Sequence, residues 1–536
     1  MATTVLAPEV RLPDLPERYN AAQTFIDEHR IVRADAVAIR CGGANVTFGQ
    51  LGASVDRAGN AFRALGIERE QRVLILTVDS PAFVYALFGA IKSGAIPIPY
   101  NWVLPPRDLL YALNDSRAVA IVVSAPLLPK LLEIRAQAPH LRHVLVTTSG
   151  TAPLEGPLPP GTISFEDALA AADDELDPVD TTPDDACFWL YSSGTTGFPK
   201  GVVHLQHDMI YCAETYGRHI LGLTDRDRTF TVSPLFHAYG LGNGVFFPLR
   251  VGASAVYKPE MRPTPDLVYG LVTTERPTIL FTAPTFYAAL LAYPTDGFKY
   301  DLSSLRFCVS AGESLPKPIF DGWKRRFGLE ILDGIGSTEM LHIFISNVAG
   351  RAKGGTSGVP VPGYRAKIVD EEEQPVQRGE TGDLWVSGDS ALAYYWNKHE
   401  RTKRTIRGDW IVTGDRYHQD DDAHFVYEGR SDDMLKVSGQ WVSPPEVEAT
   451  LMEHPAVLEC GVVGQKDSDE LVKPKAFVIL KQGHQGSDAL ADELKAFVKD
   501  RIAPYKYPRW IVFVTELPKT STGKIQRYKL RELAPA

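Results

Sequence analysis

Residues 191–204 read Y-S-S-G-T-T-G-F-P-K-G-V-V-H. The residues leading into this stretch, Ala186 to Tyr191, are apolar or aromatic and read as a buried strand ending at Tyr191. The chain then changes to small hydroxyl residues and glycines: Ser192, Ser193, Gly194, Thr195, Thr196 and Gly197. Pro199, Lys200 and Gly201 follow, and Val202 and Val203 resume an extended apolar pattern. A loop joining two strands is expected. Its chemistry suits polyphosphate: glycines admit close backbone approach, successive amides form an anion nest, and hydroxyls and a lysine add donors and charge. It is not a Walker A loop, which requires glycine directly before the lysine where Pro199 stands. The plainer alternative is a flexible Gly/Ser/Thr surface loop. Pro-Lys-Gly after Thr-Thr-Gly between apolar strands weighs against it.

The 536 residues exceed what one hydrophobic core organises, so two or more domains are expected. A hydrophobic share of 44% and a mean hydropathy of -0.12 describe a globular, soluble chain. The net charge of -10 argues against nucleic acid as partner. Cys41, Cys187, Cys212, Cys308 and Cys460 are scattered, which suits small core residues in a reducing compartment. The chain begins with no basic-then-apolar leader pattern, and no apolar run is long enough to span a bilayer, so no membrane and a cytoplasmic location are expected.

Residues 1–30 are Pro-rich, then helix-like. Helices are expected at Thr47–Leu65, Pro81–Ser93 and Leu104–Asn114, alternating with strands at Arg72–Val78, Ala95–Pro99, Val119–Ser124 and Leu141–Thr147. After a loop-rich 148–185 and the phosphate loop, the alternation repeats. Helices are expected at Asp208–Ile220, Leu241–Leu249 and Thr264–Glu275, with strands at Thr229–Ser233, Ser254–Tyr257 and Ile279–Thr282. Two doubly wound α/β halves would thus flank the loop. From Gly350 to Tyr427, short alternating runs such as Tyr364–Val369 and Gly382–Ser387 read as a β-rich subdomain. Past G-R-S-D-D at 429–433 a compact region follows, with helices Pro444–His454 and Asp488–Arg501 and strands Val457–Val463 and Lys475–Leu480. Its tail is basic (Lys506, Arg509, Lys519, Lys524, Arg527, Lys529, Arg531), either a solvated face or a face that closes on phosphates.

Three further patches carry chemistry. Asp333 to Glu339, D-G-I-G-S-T-E, reads as a glycine-punctuated loop ending in a carboxylate that suits Mg²⁺, or simply a turn with a helix-starting Glu. Thr413-Gly414-Asp415 follows strand-like Trp410–Val412, and a carboxylate past a strand end suits ribose hydroxyls; Arg430 could join it. P-K-T-S-T-G-K-I at 518–525 is a second polar turn carrying a lysine, Lys524.

Together these patches resemble the adenylate-forming superfamily of acyl-CoA synthetases, carrier-loading adenylation domains and luciferases. Five motifs stand in that family's order across nearly the whole chain. The text around 234–240 (P-L-F-H-A-Y-G) and 335–343 (I-G-S-T-E-M-L-H-I) looks most like benzoate-CoA ligases. One departure is Ile335, where family members usually carry an aromatic residue that stacks on adenine.

The resemblance implies an α/β fold: a large N-terminal domain, 1–431, of two doubly wound subdomains plus a β-rich one, and a small mobile C-terminal α/β domain, 432–536. It implies a ligase using ATP, CoA and Mg²⁺ on a small aromatic carboxylate, benzoate first, through an acyl-adenylate. Ser192 to Gly197 (Ser193, Gly194, Thr195 and Thr196 included) with Lys200 would hold the β- and γ-phosphates. Glu339 would bind Mg²⁺ and Thr338 would touch the α-phosphate. Gly312, Glu313, Ser314 and Asp333 would frame adenine, and Asp415 and Arg430 the ribose. Lys524 would bridge carboxylate and α-phosphate. Asp432 would be the hinge whose swing exchanges Lys524 for the Lys436–Gly439 region during thioester formation. The acyl pocket would comprise His237, Ala238, Tyr239, Gly336, His342 and Ile343, with His342 equally readable as a hydrogen-bonded structural histidine. Lys524 is also offered as a target of a lysine acetyltransferase and deacetylase, and a homodimer is a further reading. Rival readings are a hydroxybenzoate, cinnamate-type or medium-chain ligase, a stand-alone adenylation protein loading a carrier, a luciferase-type side activity, and a nucleotide-binding regulator without catalysis.

Overall fold

The structure is a computed structural model and describes residues 5–6, 10, 12–152, 156–194, 197–431, 433–437, 440–467, 471–519 and 525–533. Its first layer is an all-parallel five-stranded sheet, in the order Ile96–Pro99, Arg72–Leu76, Ala120–Ser124, His143–Thr147, Ile163–Ser164. The inner strands are continuous apolar runs because helices cover both faces; Val73 to Leu76 and Ile121 to Val123 are fully buried. Helix Phe48–Ala64 starts on Thr47, whose side chain accepts the Gln50 N–H while Gln50 reaches back to Thr47. Helix Pro81–Ser93 is bounded as the sequence implies, by Pro81 at its first turn and by Gly94 with φ of +86° after it.

The second sheet has nine strands, in the order Val359–Pro360, Ile343–Ser346, Ile331–Gly336, Phe307–Ser310, Ile279–Thr282, Arg228–Thr231, Ser254–Tyr257, Val37–Cys41, Ala44–Thr47. The halves do not simply flank the phosphate loop, as expected from the chain order. The hairpin 37–47 precedes the first sheet in sequence yet pairs parallel, through Val37–Cys41, with Ser254–Tyr257. The two α/β units are therefore interleaved, and their helices share one apolar core.

The phosphate loop itself joins two strands, as expected, and they form an antiparallel hairpin, Ala186–Gly194 with Gly197–Leu205. Tyr394–Tyr395 adds a third strand along Val202–Val203. The β-rich unit is a six-stranded sheet, Val5–Leu6, Arg365–Val369, Gly382–Ser387, Trp410–Gln419 and Ile406–Arg407, with Phe425–Arg430 also on Trp410–Gln419. Here the strand does not stop at Val412: it runs through Thr413-Gly414-Asp415, which bulges between the pairs Trp385↔Val412 and Asp383↔Arg416. Asp333 to Gly336 likewise lie in a strand, not a loop, because Gly334 lets the Ile345 carbonyl approach to 2.8 Å from where a Cβ would stand.

The small C-terminal domain packs helices Pro444–Met452, Asp488–Lys499 and Arg527–Glu532 on strands Val457–Lys466, Val472–Leu480 and Trp510–Phe513. It has its own buried clusters, around Val447, Val462 and Leu494 and around Phe477 and Leu530.

Candidate active site

Three elements converge where the large sheet's parallel strands end at their carboxyl side, the usual ligand position in open α/β sheets. The phosphate hairpin supplies Ser192 and Lys200; the turn after strand Ile331–Gly336 supplies Glu339; strand Tyr394–Tyr395 supplies Tyr395. Glu339 Oε1 accepts the Tyr395 hydroxyl at 2.7 Å and the Ser192 hydroxyl at 3.3 Å, with the Lys200 ammonium at 3.5 Å. Lys200 Nζ also donates to the Tyr395 hydroxyl at 3.4 Å and lies 4.5 Å from that ring's centroid. Burial alone would raise the Glu339 carboxyl; the Lys200 charge, the Tyr395 hydroxyl and Arg430 outweigh it and hold the carboxyl below its ordinary value. Burial also lowers Lys200, against the pull of Glu339.

Arg430 stands opposite Asp415 across two strands, with Nη1 3.0 Å from the carboxylate and 3.2 Å from the Thr413 carbonyl. Gly414 takes a φ of +73°, and a Cβ there would lie 3.0 Å from the Arg430 guanidinium, so the bulge needs glycine. The Asp415 charge, outweighing burial, raises Arg430, which stays cationic. Arg401, on helix His399–Thr405, adds positive charge felt by Lys200 and Tyr395.

Gly312, Glu313 and Ser314 follow strand Phe307–Ser310, and the Leu315 N–H ties their loop to Asp333 Oδ2 at 3.4 Å. Burial pushes the Asp333 carboxyl well up, and its Oδ1 has no hydrogen-bond partner among the described residues. Ser310 and Asp333 are paired across neighbouring strands, so the loop that starts after Ser310 begins beside Asp333.

Thr338 opens the short turn 338–340, capped by the Ser337 hydroxyl on the Met340 N–H. Its carbonyl accepts from His204 Nε2 at 2.8 Å, while His204 Nδ1 meets Asp208 Oδ2 at 2.7 Å, and both of these side chains are buried. The Leu392 N–H bonds the Glu339 carbonyl at 2.7 Å and the Ser390 hydroxyl bonds the Met340 carbonyl at 2.8 Å. His204, Tyr395, Ser390 and Leu392 were not legible as site residues in the sequence. Only their pairing across the sheet reveals them.

The expected acyl-pocket residues also meet. Tyr239 donates its hydroxyl to the Val309 carbonyl at 3.0 Å, and its ring lies 5.7 Å from His342. His342 is buried among Tyr216, Phe246 and Phe247, with Nε2 3.4 Å from the Tyr239 carbonyl. Burial pushes its imidazole down to about 3, so it is neutral near pH 7. His237 directly precedes helix Ala238–Leu241 and packs on Phe236. A Cβ on Gly336 would fall 2.5 Å from the His342 carbonyl, and Ile343 is buried on the paired strand. Ile335 pairs across to Ile345 and packs against the shared core.

Lys436 lies on strand Leu435–Val437, whose backbone pairs it with Trp441. Thr195, Thr196, Asp432, Gly439 and Lys524 lie outside the described residues. Ser193, Gly194 and Gly197 belong to the hairpin strands by their backbone.

Lys200 and Arg430 thus set positive charge beside the ionised Glu339 carboxylate, with the aromatic cluster of Tyr239 and His342 on the same sheet's elements. The AMP-binding enzyme model matches residues 27–396, and the AMP-binding enzyme C-terminal domain matches 446–524. The chain belongs to the AMP-binding enzyme family. ATP and CoA are substrates of the CoA ligases of this family. Benzoate–CoA ligase of Thauera aromatica is 48% identical over 520 residues, 96% of this chain and 96% of that protein. A 4-hydroxybenzoate–CoA/benzoate–CoA ligase of Rhodopseudomonas palustris is 43% identical, over 96% of this chain and 94% of its own. Among solved structures, an anthranilate CoA ligase in complex with anthranoyl-AMP superposes with a TM-score of 0.92 at 43% identity, covering 97% of this chain and 98% of that one. A benzoate CoA ligase from Burkholderia xenovorans superposes with a TM-score of 0.88 at 43% identity, over 96% and 100%. The expected α/β architecture with a large N-terminal and a small C-terminal domain matches these ligases. Among the described residues no helix is long and apolar enough to cross a membrane.

Proposed function

We propose that this member of the family is a benzoate–CoA ligase that forms benzoyl-AMP from benzoate and ATP, then benzoyl-CoA. The observation that carries the substrate is full-length 48% identity to a benzoate–CoA ligase, joined to the aromatic cluster in which His342 packs on Tyr239 beside buried Ile343. A carboxylate is a poor electrophile. Attack of its oxygen on the α-phosphorus forms the acyl–phosphate bond and expels pyrophosphate; the CoA sulfur then attacks the carbonyl carbon and AMP leaves. Both substrates of the first step are anions, so neutralising charge is the main catalytic demand.

Lys200, with Ser192 to Gly197, holds the β- and γ-phosphates. Asp333 takes an adenine donor on its open Oδ1, and Asp415 with Arg430 fixes the ribose. Glu339 fits a Mg²⁺ site: its carboxyl lies below its ordinary value and is therefore ionised, and Mg²⁺ is bound by one or two carboxylates with substrate phosphates. Bound there, the ion would supply charge neutralisation to the phosphates. Thr338 meets the α-phosphate. Lys524 bridges carboxylate and α-phosphate in the first step. With 1–431 and 432–536 as the two rigid parts and Asp432 between them, a turn of the small domain then brings Lys436 and Gly439 to the site. The flat slot between Ala238 and Gly336 takes a single ring, and a neutral His342 offers no charge to a ring substituent, so hydroxylated or fluorinated benzoates are accepted less well but not excluded.

AMP release measured over a panel of carboxylates, with and without CoA, tests this. Benzoate should give the highest kcat/KM and CoA-dependent turnover. Preference for a linear medium-chain acid would overturn the pocket reading, and turnover with a carrier protein but not CoA would overturn the acceptor.

A further inference from the structure

The opposite end of the nine-stranded sheet holds a second concentration of chemistry. A cavity of about 260 Å³ opens where Arg228–Thr231, Ser254–Tyr257, Ile279–Thr282 and Val37–Cys41 begin, and Arg33, Arg40, Arg226, Arg228 and Arg276 line it. These strands run parallel, so this is their amino-terminal end, and the nucleotide site lies past their carboxyl ends. The two are separated by at least a strand length, on the order of 13 Å.

The carboxylates nearby do not balance the arginines. Asp225 pairs with Arg33 at 2.5 Å and Asp301 with Arg276 at 2.6 Å. Asp227 is engaged by Arg306 at 2.9 Å and by the Thr278 hydroxyl at 2.7 Å. Glu275 stands 3.8 Å from Arg40, a loose pair. Arg226 and Arg228 have no carboxylate within ion-pair distance among the described residues; Arg228 gives one N–H to the Glu275 backbone carbonyl. The Nε atoms of Arg33, Arg40 and Arg228 are buried without an acceptor among the described residues. A guanidinium cannot shed its proton, so the positive charge of Arg226 and Arg228 stays in place until an anion offsets it.

We infer that this cavity binds a small phosphoryl anion, at a site distinct from the nucleotide loop. Two unpaired guanidinium charges match a dianion. The planar forks of Arg226 and Arg228 present paired N–H donors that tetrahedral oxygens take in bidentate fashion. The volume holds several waters' worth of space at roughly 30 Å³ each, enough for phosphate and too little for a nucleic-acid strand. Bound there, the anion joins the starts of four strands from two distant parts of the chain, 37–41 and 228–282.

The test is calorimetric titration of the full-length protein with inorganic phosphate and, separately, with pyrophosphate, at constant ionic strength against chloride. Three variants accompany it: Arg226→Gln, Arg40→Gln, and Lys200→Ala as a control for anions captured by the phosphate hairpin. Arg226 is exposed, so its replacement disturbs no packing. Wild type and Lys200→Ala should bind one phosphate at this site, and each arginine variant should weaken it roughly tenfold or more, the loss of one charge-assisted contact. Preference for pyrophosphate over phosphate would identify the longer anion as ligand of the same class. Wild type without saturable binding, Arg226→Gln and Arg40→Gln both binding as wild type, or Lys200→Ala alone abolishing binding would each overturn the inference.

Discussion

Tyr395→Phe isolates one contact. The ring is 3% exposed and packs within the shared core, and phenylalanine keeps that packing. What disappears is a hydroxyl that donates to Glu339 Oε1 at 2.7 Å and accepts from Lys200 Nζ at 3.4 Å. A hydrogen bond to a charged partner is worth about 1.5–3 kcal/mol, so kcat/KM should fall roughly ten- to hundredfold if the contact acts fully in the transition state. A second signature separates positioning from packing. Glu339 is held below its ordinary value by Lys200, Tyr395 and Arg430 against burial, and removing the hydroxyl raises it. Activity that needs the carboxylate is present above its pKa and lost as pH falls through it. The acid limb of the rate profile therefore moves to higher pH in the variant. Benzoate-dependent ATP–pyrophosphate exchange, followed as a function of pH at saturating Mg²⁺, reads both effects. An unchanged rate with an unchanged acid limb would refute the claim that Tyr395 poises Glu339; a fallen rate with an unmoved limb and a lowered Tm would reduce it to packing.

Lys524→Ala should abolish pyrophosphate exchange while sparing thioester formation from supplied benzoyl-AMP; equal loss of both would undo the hinge assignment at Asp432. His204→Ala removes the bond to the Thr338 carbonyl and one of the partners of buried Asp208, and should lower stability by roughly 2–4 kcal/mol in denaturant melts together with kcat. Gly336→Ala drives a methyl toward the His342 carbonyl, which is backbone and cannot yield, and should cost about 1–3 kcal/mol or more and raise KM for benzoate. His342, pushed by burial to about 3, binds its proton in the unfolded chain first. Its contribution to stability is complete above the ordinary histidine value and fades as pH falls from there toward about 3, and its ring signals in NMR should not titrate between pH 5 and 8.

Elements whose limits are set by local chemistry were legible in the sequence. Helix Pro81–Ser93 lies between a proline that suits a first turn and a glycine that takes positive φ, and both ends match. Strand Ile279–Thr282 is a short apolar run buried on both faces and was read to the residue. What was hidden depends on partners far away in the chain. Hairpin 37–47 carries no local sign that it joins strand Ser254–Tyr257 instead of the nearer sheet. Tyr395 acquires its role because Tyr394–Tyr395 pairs with Val202–Val203, and it reaches Lys200 across 195 positions of sequence. His204 closes the quoted stretch, where its place in an extended run made it look like an ordinary strand residue. Its Asp208 partner is only four positions on, the one local hint, but its second partner is the Thr338 carbonyl.

The backbone between Glu339 and His342 would hold the proposed nucleotide and acyl sites in fixed relation. Leu341 is fully buried with φ of +63° and ψ of -42°, and the His342 N–H closes on the Met340 carbonyl at 2.8 Å, a strained three-residue turn for a residue that is not glycine. Such a conformation costs about 1–3 kcal/mol and persists only where its surroundings impose it. They do so here through three successive carbonyls: Thr338 is held by His204, Glu339 by Leu392 and Met340 by Ser390. Glu339, beside Lys200, and His342, buried beside Tyr239, thus leave the same clamped turn, one on each side of Leu341. A change that loosens the turn from behind should therefore disturb both sites at once, raising KM for ATP and for benzoate together. A change confined to the pocket wall should move only the second. That split distinguishes a rigid shared turn from two sites that merely adjoin.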